Sequence, residues 1–289
     1  MDDLILDWYA ENARDLPWRS PGATPWAILV SEIMLQQTPV TRVLPAYQAW
    51  LERWPTPAAL AAEPAGEAVR MWDRLGYPRR ALRLHECARV LTERHGGEVP
   101  SSVEELLELP GVGAYTARAV AAFAYGQRVP VVDTNVRRVV ARAVAGSAEP
   151  GPPSTTRDLA AVAALLPSDV PTAARFSVAV MELGALVCTA RAPRCTACPL
   201  RAVCAWRRAG CPPYAGPVRR VQGFAGTDRQ VRGLLMAVLR SSAGPVPAAC
   251  LDVVWPDPVQ RARALDGLVA DGLVDPVADG EYALPGMHR

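Results

Sequence analysis

The sequence predicts a mainly α fold carrying a small α+β module near its C-terminal end. Apolar segments of helix length, punctuated by proline and glycine, recur from about residue 25 to residue 187. Half of the 289 residues are hydrophobic, enough for a sizeable core and too many for wholesale disorder. The last sixty or so residues differ in texture, with three short helical stretches followed by an alternating pair of segments around Ala278-Asp279-Gly280.

Taken in order, Thr24-Pro25 caps a helix running to about Gln37, where Thr38-Pro39 ends it and starts the next. Helices are expected at roughly 39–53, 66–74 and 79–94. Ser101-Ser102 with Glu104 and Glu105 reads as a capping box opening the helix EELLEL. LPGVGAYTARAVAAFAYG reads as a glycine-rich hairpin between two helices, and QRVPVVDTNVRRVVARAV as a short extended stretch before another. EPGPPSTT is a connector, and 157–166 and 172–187 again read as helices. A Pro-, Gly- and Arg-rich linker at 207–228 precedes RQVRGLLMAVLRSS, PAACLDVVW and PVQRARALDGLVADG, three short helices. With the hairpin in LVDPVADGEYALP they suggest a winged-helix-like module at 229–289.

Charge narrows the function classes little, since the net +2 does not by itself imply a nucleic-acid partner. All 31 basic side chains counted as Lys or Arg are arginine. Arginine suits bidentate phosphate contacts, although GC-rich coding explains such usage more simply. The absence of lysine has a chemical consequence, because no side-chain amine can form a Schiff base. The apolar runs are broken by charge or proline, so no membrane span is expected, and the acidic start lacks a signal-peptide pattern. A cytoplasmic protein is expected.

Four of the seven cysteines cluster as Cys188-x6-Cys195-x2-Cys198-x5-Cys204. In a cytoplasmic chain this spacing reads as a metal centre, and spacing alone leaves zinc and iron–sulfur open. All four valences come from protein, so the centre is structural. Arg191, Arg194 and Arg201 would then sit on a rigid loop suited to gripping phosphates. Leu109-Pro-Gly-Val-Gly113 is either an ordinary helix–helix turn or a helix-hairpin-helix anion site that presents amide N–H groups at a helix N-terminus. Asp133 in VVDTNVRRVV is a good N-cap, a role compatible with catalysis by a rigidly held carboxylate. Glu32 shares a helix face with Ile28, Leu29, Leu35 and Gln36. Such surroundings disfavour the charged form, as general-acid work needs. The alternative is an edge acid paired with Arg19 or Arg42.

LPWR (16–19), SEIMLQQT (31–38), LGYPRRALRLH (75–85), LPGVGAYTA (109–117), VVDTNVRRV (131–139) and MELGALVC (181–188) occur in that order. With the cysteine spacing they closely resemble the MutY adenine DNA glycosylases of the helix-hairpin-helix superfamily, over about residues 4–206. The resemblance implies a mainly α, two-lobed helix-hairpin-helix glycosylase region at 1–206. It also implies a 4Fe-4S cluster on Cys188, Cys195, Cys198 and Cys204, whose loop is 188–204. Glu32 matches the catalytic acid and Asp133 the catalytic aspartate, with Tyr115 and Asn135 in support. Trp18, Arg19, Gln37 and Thr38 match residues lining the adenine pocket or contacting DNA around it. Leu35 and Tyr77 match wedges beside the mispaired purine, and Gly111 and Gly113 the phosphate-gripping hairpin.

The resemblance therefore implies a monofunctional, monomeric enzyme of base excision repair, associated with the nucleoid. It would bind double-stranded DNA and release adenine opposite 8-oxoguanine or guanine. Related glycosylase-lyases carry a lysine where Tyr115 stands. The family's usual DGNV is DTNV here, its GYY is Gly76-Tyr77-Pro78, and Val178 stands where a Gln or Glu is common. About seventy residues follow Gly216, too few for the Nudix-like domain that typically recognises the opposite base. Thymine or uracil excision from G mispairs is the rival among enzymes, and a non-catalytic DNA-binding iron–sulfur protein the rival outside them.

Overall fold

The computed structural model describes residues 1–214, 216 and 223–288. Its elements, in chain order, are α1 (Asp2–Asn12), α2 (Pro25–Leu35), α3 (Val40–Arg53), α4 (Pro57–Ala61), α5 (Ala65–Trp72), α6 (Arg79–Arg94), α7 (Val103–Leu107) and α8 (Ala114–Tyr125). There follow α9 (Thr134–Ala143), α10 (Thr155–Ala163), α11 (Val170–Leu186), α12 (Ala205–Arg208), α13 (Asp228–Ser241), β1 (Val246–Pro247), α14 (Ala248–Asp252), α15 (Pro258–Ala270), β2 (Asp275–Val277) and β3 (Glu281–Ala283). Part of the expected linker, residues 215 and 217–222, lies outside the described residues.

Local chemistry accounts for the boundaries. Thr24 Oγ1 accepts the Ala27 N–H at 3.1 Å, so α2 starts where the Thr-Pro pair predicts. It stops at Leu35, two residues short of the expected end, because Gln37 has φ 55°, outside the helical region. In the capping box, the Glu105 N–H donates to Ser102 Oγ and the Ser102 hydroxyl to Glu105 Oε2. The stretch before α9 forms no strand; it leads directly into the Asp133 cap.

The chain forms two compact units. The first comprises Met1–Leu29, Ser101–Glu108 and Val112–Val218. Its core gathers Ile5, Val136, Val139, Phe176, Val180 and Leu183 around α11, against which α1 and α9 pack. The second comprises Val30–Pro100, Leu109–Gly111 and Arg219–Arg289. Here α6 buries Ala81, Leu84, Cys87, Ala88 and Leu91, a helical spacing that faces α4 and α5. Trp50, Trp54 and Trp72 are fully buried, with ring centroids 4.7 and 5.7 Å from Trp50 in edge-on pairs. Each such side chain contributes roughly 1.5–3 kcal/mol by burial alone.

The C-terminal part of the second unit has the expected winged-helix-like α+β pattern. Its helices α13 and α15 pack together, and its sheet has the order β1-β3-β2, all antiparallel. The hairpin turns at Ala278–Gly280, with Asp279 at φ 61° and Gly280 at φ 73°. The two-residue strand β1, paired Val246 to Tyr282, was not expected. No helix among the described residues is long and apolar enough to cross a membrane.

Candidate active site and cluster loop

In the second unit, Glu32 lies on α2 among buried Ile33, Met34 and Val30 and is only 6% exposed. The edge position open in the sequence is therefore not the one adopted. Beyond it the chain turns through half-buried Leu35, exposed Gln37 and buried Thr38. The second loop, 73–78, carries Tyr77, which is 56% exposed.

One side chain ties these two loops together. Arg80 donates to the carbonyls of Ile33 and Met34 at 3.0 and 2.9 Å, to Thr38 Oγ1 at 2.8 Å and to Gly76 O at 2.9 Å. Its guanidinium also lies over the faces of Trp72 and Tyr77, 5.1 and 5.6 Å from their centroids. Burial lowers its pKa to about 10, so it remains charged at neutral pH. Thr38 Oγ1 also lies 3.3 Å from Leu75 O, and Trp72 Nε1 donates to Gly76 O at 3.0 Å. Arg80→Met is expected to destabilise the fold by roughly 2–4 kcal/mol, because several buried carbonyls lose a charged donor together. Urea denaturation measures the loss, and hydrogen exchange at residues 73–78 should rise in parallel.

Gly111 has φ 81°, and a Cβ there would stand 2.8 Å from Arg83 Cβ, so glycine is needed both for conformation and for space. Gly113, in the first unit, caps α8 with extended backbone and nothing within 4 Å of a Cβ position. The helix N-terminus is thus open to an approaching anion.

In the first unit, Asp133 is the N-cap of α9. Its Oδ1 accepts the Val136 N–H at 2.6 Å and its Oδ2 accepts Asn135 Nδ2 at 2.7 Å. Burial pushes its pKa up, opposed by those two donors and by the nearby Arg138 charge. Asn135 is held in turn: its Oδ1 accepts from Arg138 Nη2 at 2.8 Å, while Arg138 also donates to Cys188 O at 2.7 Å and Gly184 O at 2.7 Å. One guanidinium thus links the orienter of Asp133 to a cysteine of the cluster loop. Gly184 allows α11 this close, since a Cβ there would meet Asn135 Cβ at 2.7 Å and its carbonyl oxygen at 2.9 Å. Gly184→Ala is expected to cost roughly 1–3 kcal/mol, because the atoms it meets include backbone that cannot yield; the midpoint of urea unfolding measures it. Tyr115 places its hydroxyl 3.9 Å from Met181 Sδ.

Trp18 is buried and Arg19 largely so. Arg19 Nη2 and Arg14 Nη2 both bind Glu182 Oε2, at 2.8 and 2.6 Å, and Arg14 Nε binds Oε1 at 2.7 Å. Glu182 is fully buried on α11. Arg19 Nη1 keeps no protein partner.

The four clustered cysteines line one hollow together with Arg142, Val187, Pro193, Arg201, Trp206 and Arg207. Among the described residues, no group of three or more His, Cys, Asp or Glu closes on a single metal ion. Four thiols around one hollow are a donor set that suits a thiolate-ligated metal centre. Arg142, 3% exposed, donates to the carbonyls of Ala148, Thr189 and Ala190, lies 3.6 Å from Cys188 Sγ and stacks on Trp206 at 5.0 Å. Arg194 donates through Nε to Leu186 O at 3.1 Å at the end of α11, where a helix end leaves carbonyls that a nearby guanidinium satisfies. Arg191, Arg194 and Arg201 are all exposed.

Arg80, Glu182, Arg138, Arg142 and Gly184 were not singled out in the sequence. Glu182 could have been, by the reasoning applied to Glu32, since it is an acid within an apolar helix pattern.

The fold and these groups define a class. Residues 30–164 match the model of the HhH-GPD superfamily of base excision DNA repair proteins. A solved thermostable thymine-DNA glycosylase superposes with a TM-score of 0.66 at 30% identity, covering 72% of this chain and 95% of that one. The adenine DNA glycosylase of Mycobacterium tuberculosis (strain H37Rv) is 61% identical over 99% of this chain and 93% of its own length. That of Mycolicibacterium smegmatis is 63% identical over 98% and 95%. The chain belongs to the adenine DNA glycosylase family.

Proposed function

We propose that the chain hydrolyses the N-glycosidic bond of adenine mispaired with 8-oxoguanine or guanine in duplex DNA, as a monofunctional enzyme. The observation that carries this reading is Glu32, a carboxyl withdrawn from water on an apolar helix face with the family's motif around it. The base leaves the stack to be reached, with Leu35 and Tyr77 filling the space beside it. Glu32 donates a proton to the adenine ring, which converts a poor leaving group into a good one. Asp133, held by Val136 and Asn135, stabilises the oxocarbenium-like sugar that remains. Glu32, now deprotonated, helps activate the attacking water. Without lysine in the sequence, no lysine Schiff base with the sugar forms and the strand stays intact.

Gly111 and Gly113 supply a backbone grip on phosphate, and Trp18, Arg19, Gln37 and Thr38 match family positions that line the adenine pocket or contact the DNA around it. The unpartnered Nη1 of Arg19 supports a role toward a polar group of the substrate. Cys188, Cys195, Cys198 and Cys204 would hold a 4Fe-4S cluster, which supplies a rigid loop rather than chemistry. The four thiols lining one hollow, in the spacing the family shares, support this reading. Purified protein should be brown, with broad absorbance toward the visible blue; colourless protein with stoichiometric zinc would overturn this assignment.

Single-turnover cleavage of duplexes holding A, T or U opposite guanine or 8-oxoguanine tests the activity. Release of adenine with no strand scission is expected. Thr134, where the family's usual motif has glycine, makes T opposite G the informative competitor; release of thymine alone would sink the adenine reading.

A further inference from the structure

We propose that the C-terminal winged-helix-like module is a brace for the loop that carries Tyr77, so that it holds a DNA wedge instead of reading DNA itself. The proposal rests on the reading of Tyr77 as a wedge. All the contacts concerned lie within the second unit.

The module grips both helices from which the loop is hung. At the start of α5, the Gly66 N–H donates to Pro285 O at 2.7 Å. A Cβ on Gly66 would lie 2.5 Å from Met287 Cγ and 2.9 Å from Leu284 Cβ, so the helix backbone itself abuts the tail after β3. One turn further on, Arg70 Nη2 donates to Ser242 O at 2.7 Å, at the end of α13. Beyond the loop, Arg79, the first residue of α6, pairs with Asp271 at 3.2 Å, and Asp271 is fixed from within the module by Arg232. Arg240 on α13 lies in the electrostatic field of Asp73 and Arg74, the first two residues of the loop.

The loop needs such support. Asp73 and Tyr77 have φ of 40° and 49°, left-handed values in residues other than glycine. Each costs about 1–3 kcal/mol and persists only where the surroundings over-determine it. The Tyr77 ring, more than half exposed, cannot supply that restraint by burial. The restraint comes from Trp72 and Arg80, which both donate to Gly76 O from the two braced helices.

The module's own chemistry argues against direct DNA reading. Residues 228–288 hold five arginines against eight carboxylates. Three of those arginines are tied to aspartates: Arg232 to Asp271, Arg261 to Asp252 and Arg263 to Asp228. A surface of that balance repels a phosphate backbone. On α15, Val259 is 70% exposed beside these internally paired arginines.

A double-mutant cycle in the full-length, cluster-loaded protein tests the brace. Asp271→Asn and Gly66→Ala are each combined with Tyr77→Ala. Single-turnover adenine release and affinity for the A·8-oxoguanine duplex are measured beside thermal unfolding. Each brace variant should lower release roughly tenfold in the parent and leave it unchanged in the Tyr77→Ala background. Hydrogen exchange should quicken at 73–78, with α13 and α15 still protected. Equal losses in both backgrounds, or losses that follow the melting temperature, would overturn the brace. If Tyr77→Ala alone has no effect, it is the wedge reading that fails, and the brace with it; a Tyr77 effect with an additive cycle removes the brace alone.

Discussion

Glu32→Gln should lower single-turnover release of adenine by roughly 10²–10⁴-fold while leaving affinity for the mispaired duplex within about threefold. The amide keeps the shape of the carboxyl and fits the same 6%-exposed site. What it loses is the proton. Adenine is a poor anion to expel, and the barrier to its departure falls steeply once the ring is protonated. The loss should appear in the rate at saturating enzyme and not in binding. Asp133→Asn should give a comparable loss for a different reason, because it removes the negative charge opposite the developing cation while retaining an acceptor for the Val136 N–H. A Glu32→Gln protein as active as the parent would remove the proposed acid.

The second large effect is on stability. Glu182 is buried, and burial alone would raise its pKa; hydrogen bonds from Arg14 and Arg19 outweigh that and bring it down to about 2. A depressed carboxyl stabilises the fold above its unfolded pKa of about 4.5 and ceases to do so as pH falls through the folded value. The unfolding free energy should therefore drop by roughly 3 kcal/mol between pH 4.5 and pH 2 from this group. Glu182→Ala, which strands two arginines in a partly buried site, should cost roughly 3–5 kcal/mol at pH 7 and flatten that acid limb. Urea titrations at a series of pH values read both. An unchanged acid limb in Glu182→Ala would show that other carboxylates carry it.

The site divides into what a sequence can and cannot carry. Glu32 was legible because helical spacing places it among Ile28, Leu29 and Leu35, and Asp133 because a residue before Thr-Asn-Val is a natural cap. The four cysteines declared themselves by spacing. Arg80 did not, because its partners are backbone carbonyls of Ile33, Met34 and Gly76, and a carbonyl has no residue type by which to be recognised. Glu182 stood in a recognised motif, yet its partners lie 163 and 168 residues earlier. The winged-helix pattern was readable from turns and periodicity. That its tail would seat against Gly66 was not, since nothing about that glycine, lying within a helix, announces a close approach.

The left-handed turns at Gln37, Asp73 and Tyr77 have a kinetic consequence. An enzyme that inspects long stretches of sound DNA meets an undamaged pair far more often than a mispair. If each encounter required two loops to order themselves, the entropy lost would be demanded again at every base pair, slowing the survey and rewarding lingering on the wrong sites. Here the unfavourable geometry is set once, when the chain folds, and kept by Arg80. On the proposed wedge reading of Leu35 and Tyr77, the side chains arrive already shaped, so an encounter ends as fast as contacts break, and dwell time is left to report the base pair itself.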